Sequence, residues 1–151
     1  MQTFLPYKRF DHSARALDDK RLDKQRVEAM QIMSALMKLR FHTNTANIPW
    51  ANHPATKMWF GYEHALLNYQ EAICGEWVRR GNRDGMLDKT ADLILSQPGF
   101  QMIGDPPWLG KKLLHSSHRA NLLREAPEWY DRFNWPEEPA EDFWWPTENG
   151  F

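Results

Sequence analysis

Between Leu17 and Arg40 the chain has no proline and no glycine, and Ala29, Ile32, Met33, Leu36 and Leu39 recur at spacings of three and four. That periodicity predicts one long helix with a single apolar face, and Asp18 or Asp19 is placed to cap its start. A helix of this length, about 36 Å at 1.5 Å per residue, spans a small domain and sets the axis for everything packed on it. The chain has 151 residues, 42% of them hydrophobic. That is one ordinary domain, long enough to bury roughly 70% of the surface its unfolded chain exposes.

The rest of the pattern is helical too. Residues 1–16 are mixed, and Pro6 argues against an early helix. Thr43, Asn44, Thr45, Asn47, Pro49 and Pro54 mark residues 41–54 as a loop. A second helix is expected from about Thr56 to Arg80, with Tyr62, Ala65, Leu66, Tyr69, Ala72, Ile73 and Trp77 on one face and Gly81 closing it. Residues 86–95 suit a short helix, and Pro98, Gly99, Gly104, Pro106 and Pro107 then break the chain. A third long helix fits residues 110–125, with Pro127 stopping it. No stretch alternates as a strand would. The expected class is all-α: a single compact domain of three or four helices over residues 1–132, with an extended, aromatic, acidic tail over 133–151 that packs on it.

The formal net charge of −1 hides an asymmetry. All 19 basic side chains lie at or before Arg132, against 15 of the 20 acidic ones, so residues 1–132 carry +4 and the tail carries −5. Such a basic body suits a phosphate-rich partner. No apolar run approaches the ~20 residues needed to cross a bilayer. The opening Met-Gln-Thr-Phe-Leu-Pro-Tyr-Lys-Arg lacks the layout of a signal peptide. The lone Cys74 excludes a cysteine-based zinc cluster, reads as a small buried hydrophobe, and fits a reducing cytoplasm. No metal or cofactor is expected, and the protein is read as a monomer. Trp59, Tyr69 and Trp77 read as core.

On the first helix Arg21, Lys24, Gln25 and Glu28 share one face. This spacing fits a solvated face with a Lys24–Glu28 pair. It also fits one carboxylate set among cations that hold phosphates, a costly arrangement unless the carboxylate acts as acid or base or steadies a positive charge. On the last helix His115, His118 and Arg119 fall at i, i+3 and i+4 beside Lys111 and Lys112. A basic edge toward DNA suits them better than a metal site, which lacks a third ligand.

Leu17-Asp18-Asp19-Lys20-Arg21-Leu22 followed by Glu28-Ala29 resembles the pyrimidine-dimer DNA glycosylase family, the phage endonuclease V type and its bacterial relatives. Asn52-His53-Pro54 is similar to the family's Asn-His-Pro segment. Glu76-Trp77-Val78-Arg79-Arg80-Gly81 is similar to a Glu-Cys-Leu-Lys-Arg-Gly stretch, and Pro127-Glu128-Trp129-Tyr130 to an aromatic segment near the C-terminus. These matches occur in order over about residues 17–132. The resemblance implies an all-α repair fold that excises a damaged or modified pyrimidine from double-stranded DNA. It puts the catalytic carboxylate on Glu28. It makes His118 or Arg119 a DNA contact. His53, at the mouth of the second helix, reads as a capping or core histidine or as a pocket residue, and Trp108, Trp129 and Tyr130, which follow loop or helix-end signals, read as core or as aromatic groups beside a flipped base. The family's arginine ahead of the catalytic glutamate falls on Val27, with Arg26 one position earlier and about 100° around the helix.

The resemblance also implies amine chemistry: an N-terminal α-amine attacks the anomeric carbon, expels the base and forms an imine, and elimination then nicks the strand. At pH 7 about one α-amine in ten is free, against roughly four lysines in ten thousand. Here Gln2 stands between Met1 and Thr3, so the amine of Met1, a lysine (Lys20 or Lys24) or an activated water remain open as nucleophile. Two other readings remain: a non-catalytic helical DNA-binding protein on the same scaffold, and a small protein-interaction domain docking through its Trp-rich tail.

Overall fold

A 23-residue helix is the longest element among the described residues, and three of the other helices pack directly on it. The computed structural model describes residues 1–41, 46–97 and 104–146. Within them lie α1 (Phe10–Ala16), α2 (Asp19–Phe41), α3 (Pro54–Lys57), α4 (Glu63–Arg79), α5 (Met86–Leu95), α6 (Lys112–Glu125), α7 (Pro127–Tyr130) and a closing 3-10 turn, Asp131–Phe133. There is no strand among the described residues, and none of their helices is long and apolar enough to cross a membrane. The all-α class is as expected. Of the segments expected as loop, residues 42–45, Pro98 and Gly99 lie outside the described residues, as do the last residues of the tail, 147–151.

The helix count exceeds the expected three or four because short helices fill what the sequence pattern treats as irregular or continuous. The helix expected from Thr56 to Arg80 is two. α3 starts with His53 as N-cap, its Nδ1 accepting from the Ala55 amide at 3.0 Å, and Pro54 in the first turn. It ends at Lys57, and Gly61 turns the chain at φ 89°, a conformation glycine adopts without steric cost. The break carries Met58 and Trp59 into the core. Trp59 meets Trp108 edge-on at 4.8 Å, and Trp108, itself buried, donates Nε1–H to the Met58 carbonyl. α1, unexpected after Pro6, is prepared by Ser13, whose hydroxyl accepts from the Tyr7 amide and donates to the Tyr7 carbonyl.

α4 and α5 pack along α2, and α1 packs on α4. The buried face of α2 includes Leu22, Gln25, Ala29, Ile32, Met33 and Leu36, close to the predicted stripe. Each large aliphatic side chain there contributes roughly 1.5–3 kcal/mol by leaving water. α4 closes in a Schellman turn: the Gly81 amide donates to the Val78 carbonyl and the Asn82 amide to the Trp77 carbonyl, with Gly81 at φ 98°. Arg80 then reaches back to the Leu17 carbonyl at 2.7 Å and to Asp19 at 2.8 Å, tying the end of α4 to the junction of α1 and α2. Cys74 is buried, and burial together with the Asp84 carboxylate pushes its thiol pKa up.

Residues 1–6 have no regular structure but are largely buried, so their backbone polar groups need side-chain partners. The residues that provide them are polar positions on helices. Leu5 is gripped at both ends of its polar backbone: its amide donates to His118 Nδ1 at 2.9 Å, and its carbonyl accepts from His115 Nδ1 at 2.8 Å. His115 Nε2 accepts from the Gly110 amide, which fixes that ring as the Nδ1–H tautomer, the opposite of His118.

The segment after the 3-10 turn lies along α6. Trp135 stacks on Phe133 and Tyr130, Glu137 pairs with Arg119 at 2.7 Å, the Ala140 amide donates to the Ala120 carbonyl, and the Trp144 amide donates to Ser117. This path returns the C-terminal segment to the N-terminus: Phe143 meets Phe4 edge-on at 6.1 Å.

Candidate active site

α2 presents Lys20, Arg21, Lys24, Gln25 and Glu28 at spacings of one, three, one and three, which puts them on one side of the helix over about two turns. These five side chains line a cavity of about 420 Å³. Met1, Gln2 and Phe4 cross it from the N-terminal segment, Asn121 and Glu125 come from α6, and Glu141 and Phe143 from the C-terminal segment.

Gln25 organises this meeting. It is buried, and all four of its hydrogen-bond directions are used. Its Oε1 accepts from the Phe4 amide at 2.8 Å and from the Tyr69 hydroxyl at 2.6 Å. Its Nε2 donates to the Gln2 carbonyl at 2.9 Å and to Glu28 Oε2 at 3.1 Å. Glu28 Oε2 also accepts from the Gln2 amide at 3.1 Å. A side-chain amide with donors on one side and acceptors on the other has one orientation here, so Gln25 fixes residues 2–4 over the Glu28 carboxylate. Met1 follows directly at the cavity.

His53 stands next to this pair. Burial lowers the pKa of its imidazole, the Met1 ammonium lowers it further, and the Glu28 carboxylate acts in the opposite sense. The ring is therefore neutral near pH 7, and its Nδ1 is committed to the Ala55 amide. Trp50 and Trp145 meet it edge-on from two sides, at 5.9 and 6.0 Å.

The structure brings together Met1, Arg21, Lys24, Gln25 and Glu28 at the cavity, with His53 beside them. Arg21 is also paired with Asp18 at 3.1 Å and lies 3.7 Å from Glu125. Lys24 is exposed. The other expected site residues have different surroundings. Arg26 points to the α4–α5 side, paired with Asp84 at 2.8 Å and lying over the Trp77 ring at 5.0 Å. His118 is fully buried, and burial, with His115 adding to it, pushes its pKa down to about 3. Arg119 donates to the Pro6 carbonyl at 2.8 Å and pairs with Glu137. Trp129 donates Nε1–H to the Ala16 carbonyl and stacks under Arg132 at 3.7 Å. Tyr130 is fully buried, its hydroxyl held by Asp18. None of these five is among the cavity-lining residues. Residues that sequence reasoning passed over are Gln2, Phe4, Asn121, Glu125, Glu141 and Phe143. Their link to Glu28 depends on contacts between distant parts of the chain and has no signature in spacing.

A search of curated proteins and a search of solved structures returned no match to this chain. A family model described as pyrimidine dimer DNA glycosylase matches residues 1–90. That match covers more than half of the chain, including α1 to α4, the Glu28 face and the N-terminal segment laid over it. The chain belongs to the pyrimidine dimer DNA glycosylase family.

Proposed function

We propose that this chain excises a damaged pyrimidine from double-stranded DNA at the cavity over Glu28, with the α-amine of Met1 as nucleophile and subsequent nicking of the strand. The observation that carries the reading is the hydrogen bond from the Gln2 amide to Glu28 at 3.1 Å, which tethers the amine-bearing residue beside the one carboxylate on a cationic helix face. The free amine attacks the anomeric carbon, and the base departs with the electrons of its glycosidic bond. The amine nitrogen gives up its two protons, one to the departed base and one to the ring oxygen, as the ring C–O bond breaks and an imine forms; loss of a proton from C2′ then breaks the C3′–O bond and releases the phosphate it carried. Glu28 steadies the developing positive charge and moves the proton, a role that typically contributes about 10²–10⁴-fold. Arg21 and Lys24 hold the flanking phosphates. His53, neutral and fixed by Ala55, adds no charge to compete with the amine.

Lys20 and Lys24 line the same cavity, which keeps a lysine nucleophile as the second reading. The experiment is borohydride trapping on a duplex carrying a pyrimidine dimer, followed by intact mass and peptide mapping. The expected adduct is on Met1, and it disappears when the N-terminus is acetylated. An adduct on Lys20 or Lys24 that survives acetylation moves the nucleophile to the lysine. Base release without any adduct assigns the attack to water activated by Glu28.

A further inference from the structure

The α2 side of the cavity carries Lys20, Arg21 and Lys24, and the residues opposite include the aromatic rings of Phe4 and Phe143 among Asn121, Glu125 and Glu141. Ring contacts run in an unbroken series from Trp50 to His53 (5.9 Å), His53 to Trp145 (6.0 Å), Trp145 to Phe143 (5.6 Å) and Phe143 to Phe4 (6.1 Å), and the last two line the cavity. Trp50 begins this series with an unusual backbone. Its φ is 66°, and the other positive-φ non-glycine among the described residues is Asn134, a residue type that tolerates the left-handed region. A tryptophan does so at a cost, and strain of this kind collects at functional positions. Trp50 is also 45% exposed, so burial of its own ring does not offset that cost.

We propose that Trp50, Phe143 and Trp145 form the stacking wall against which the unstacked nucleotide is held, so that lesion selectivity resides partly in the C-terminal segment, outside the residues shared with the family. The proposal rests on the excision reading for its substrate. The occupant is an extruded nucleobase with its phosphates toward α2: a charged backbone suits Lys20, Arg21 and Lys24, and every base has a face for the ring of Phe143 and for the tryptophans that continue the series from it. Phe143 and Trp145 are held in place by the Trp144 amide bond to Ser117 and by the Asn121 side chain on the Glu141 carbonyl.

The test uses the full chain in the Glu28→Gln background, so that substrate persists, and two duplexes of one sequence, undamaged or carrying a pyrimidine dimer. Affinity is read by fluorescence anisotropy. Trp50→Leu, Phe143→Leu and Trp145→Leu are each expected to lower the lesion-to-undamaged affinity ratio about tenfold, within the range of base–aromatic stacking. Affinity for the undamaged duplex stays the same, and Trp145→Phe restores the ratio. Trp50→Leu changes an exposed side chain, so it reports even where a tail variant unfolds. An unchanged ratio for Trp50→Leu and Trp145→Leu overturns the proposal. So does an equal loss on both duplexes, which marks a backbone contact. Base release by the wild type on the damaged duplex is measured separately. Its absence, with selectivity still dependent on the wall, sinks the excision reading alone.

Discussion

The carboxylate of Glu28 and the backbone amide of Gln2, 26 positions apart in sequence, are joined by a hydrogen bond of 3.1 Å. A carboxylate that accepts a backbone N–H near the first residue of a chain anchors that end, and in the excision proposed above it also lies within reach of the reacting amine. The Gln25 amide shares Oε2 with Gln2, so the acceptor is approached by two donors from fixed directions.

Glu28→Gln is expected to lower base release by about 10²–10⁴-fold and to leave duplex affinity equal or higher. The side-chain amide oxygen still accepts from Gln2, which preserves the fold while removing the charge. Release from a dimer-bearing duplex under single-turnover conditions, with affinity measured alongside, checks this. Wild-type turnover in the mutant removes Glu28 from the mechanism.

Gln25→Leu deprives the Gln2 carbonyl and the Phe4 amide of a partner in a buried setting, while the Tyr69 hydroxyl keeps the Phe4 carbonyl. Unsatisfied buried groups cost about 1–3 kcal/mol each, and partial relaxation leaves an expected loss of about 3 kcal/mol in unfolding free energy. Activity is expected to fall further than stability accounts for, since the terminus loses its guide. Urea unfolding and turnover at a temperature where the variant stays folded separate the two effects.

Lys24→Gln and Arg26→Gln are expected to part company, although they sit two residues apart. Lys24 is exposed at the cavity, so its neutralisation reduces the salt slope of DNA binding by about 0.9. Arg26 is engaged with Asp84 and Trp77, so its loss costs about 3 kcal/mol of stability and leaves the slope unchanged. Binding constants across a salt series, with an unfolding curve for each variant, decide it. Equal slopes for Arg26→Gln and Lys24→Gln would place both side chains on DNA.

Acid is expected to loosen the N-terminal segment. Burial holds the folded pKa of His118 at about 3, against an ordinary value near 6.5. Between those values the unfolded chain binds the additional proton, so stability rises with pH there, by up to about 1.4 kcal/mol per unit, and this contribution is complete above about pH 6.5. The bond to Leu5 needs the same neutral ring: Nδ1 accepts from the Leu5 amide, and a protonated ring cannot accept. His115, also lowered by burial, adds in the same direction. Unfolding free energies at pH 7.5, 6.0 and 5.0 give the slope. His118→Asn keeps an acceptor for Leu5 without a titration and is expected to flatten it. An identical slope in the two proteins locates the effect elsewhere.

α2, α5 and α6 are legible because each runs free of proline and glycine between breakers, and α2 also carries an apolar stripe. The division of the second long helix is not, since Met58 and Trp59 fit a helical stripe as well as they fit the break; Gly61 is the one local mark of it. Glu28 is readable from its motif and its cationic neighbours. Gln25 reads only as one more polar side chain on that face, and three of its four bonds go to residues 21 or more positions away, at Gln2, Phe4 and Tyr69. His115 and His118 read as a DNA-facing edge because histidine among lysines and arginines suggests a surface. Their actual partner, the backbone of Leu5, has no side-chain signature. The aromatic cluster at Trp129 and Tyr130 draws attention by composition, while Phe143 reaches the cavity, and Trp145 the rings beside it, through a chain path that composition does not encode.

The grip of His115 and His118 on Leu5 has a consequence for synthesis. The first residues of this chain are made long before α6, and the imidazoles that hold Leu5 lie more than 100 positions downstream. The partners of residues 2–4 come earlier, at Gln25, Glu28, Trp59 and Tyr69. Contacts of long sequence separation form late and slowly. The nascent chain therefore lays residues 2–4 along α2 first, while Leu5 waits for both of its imidazoles until α6 is made and docked.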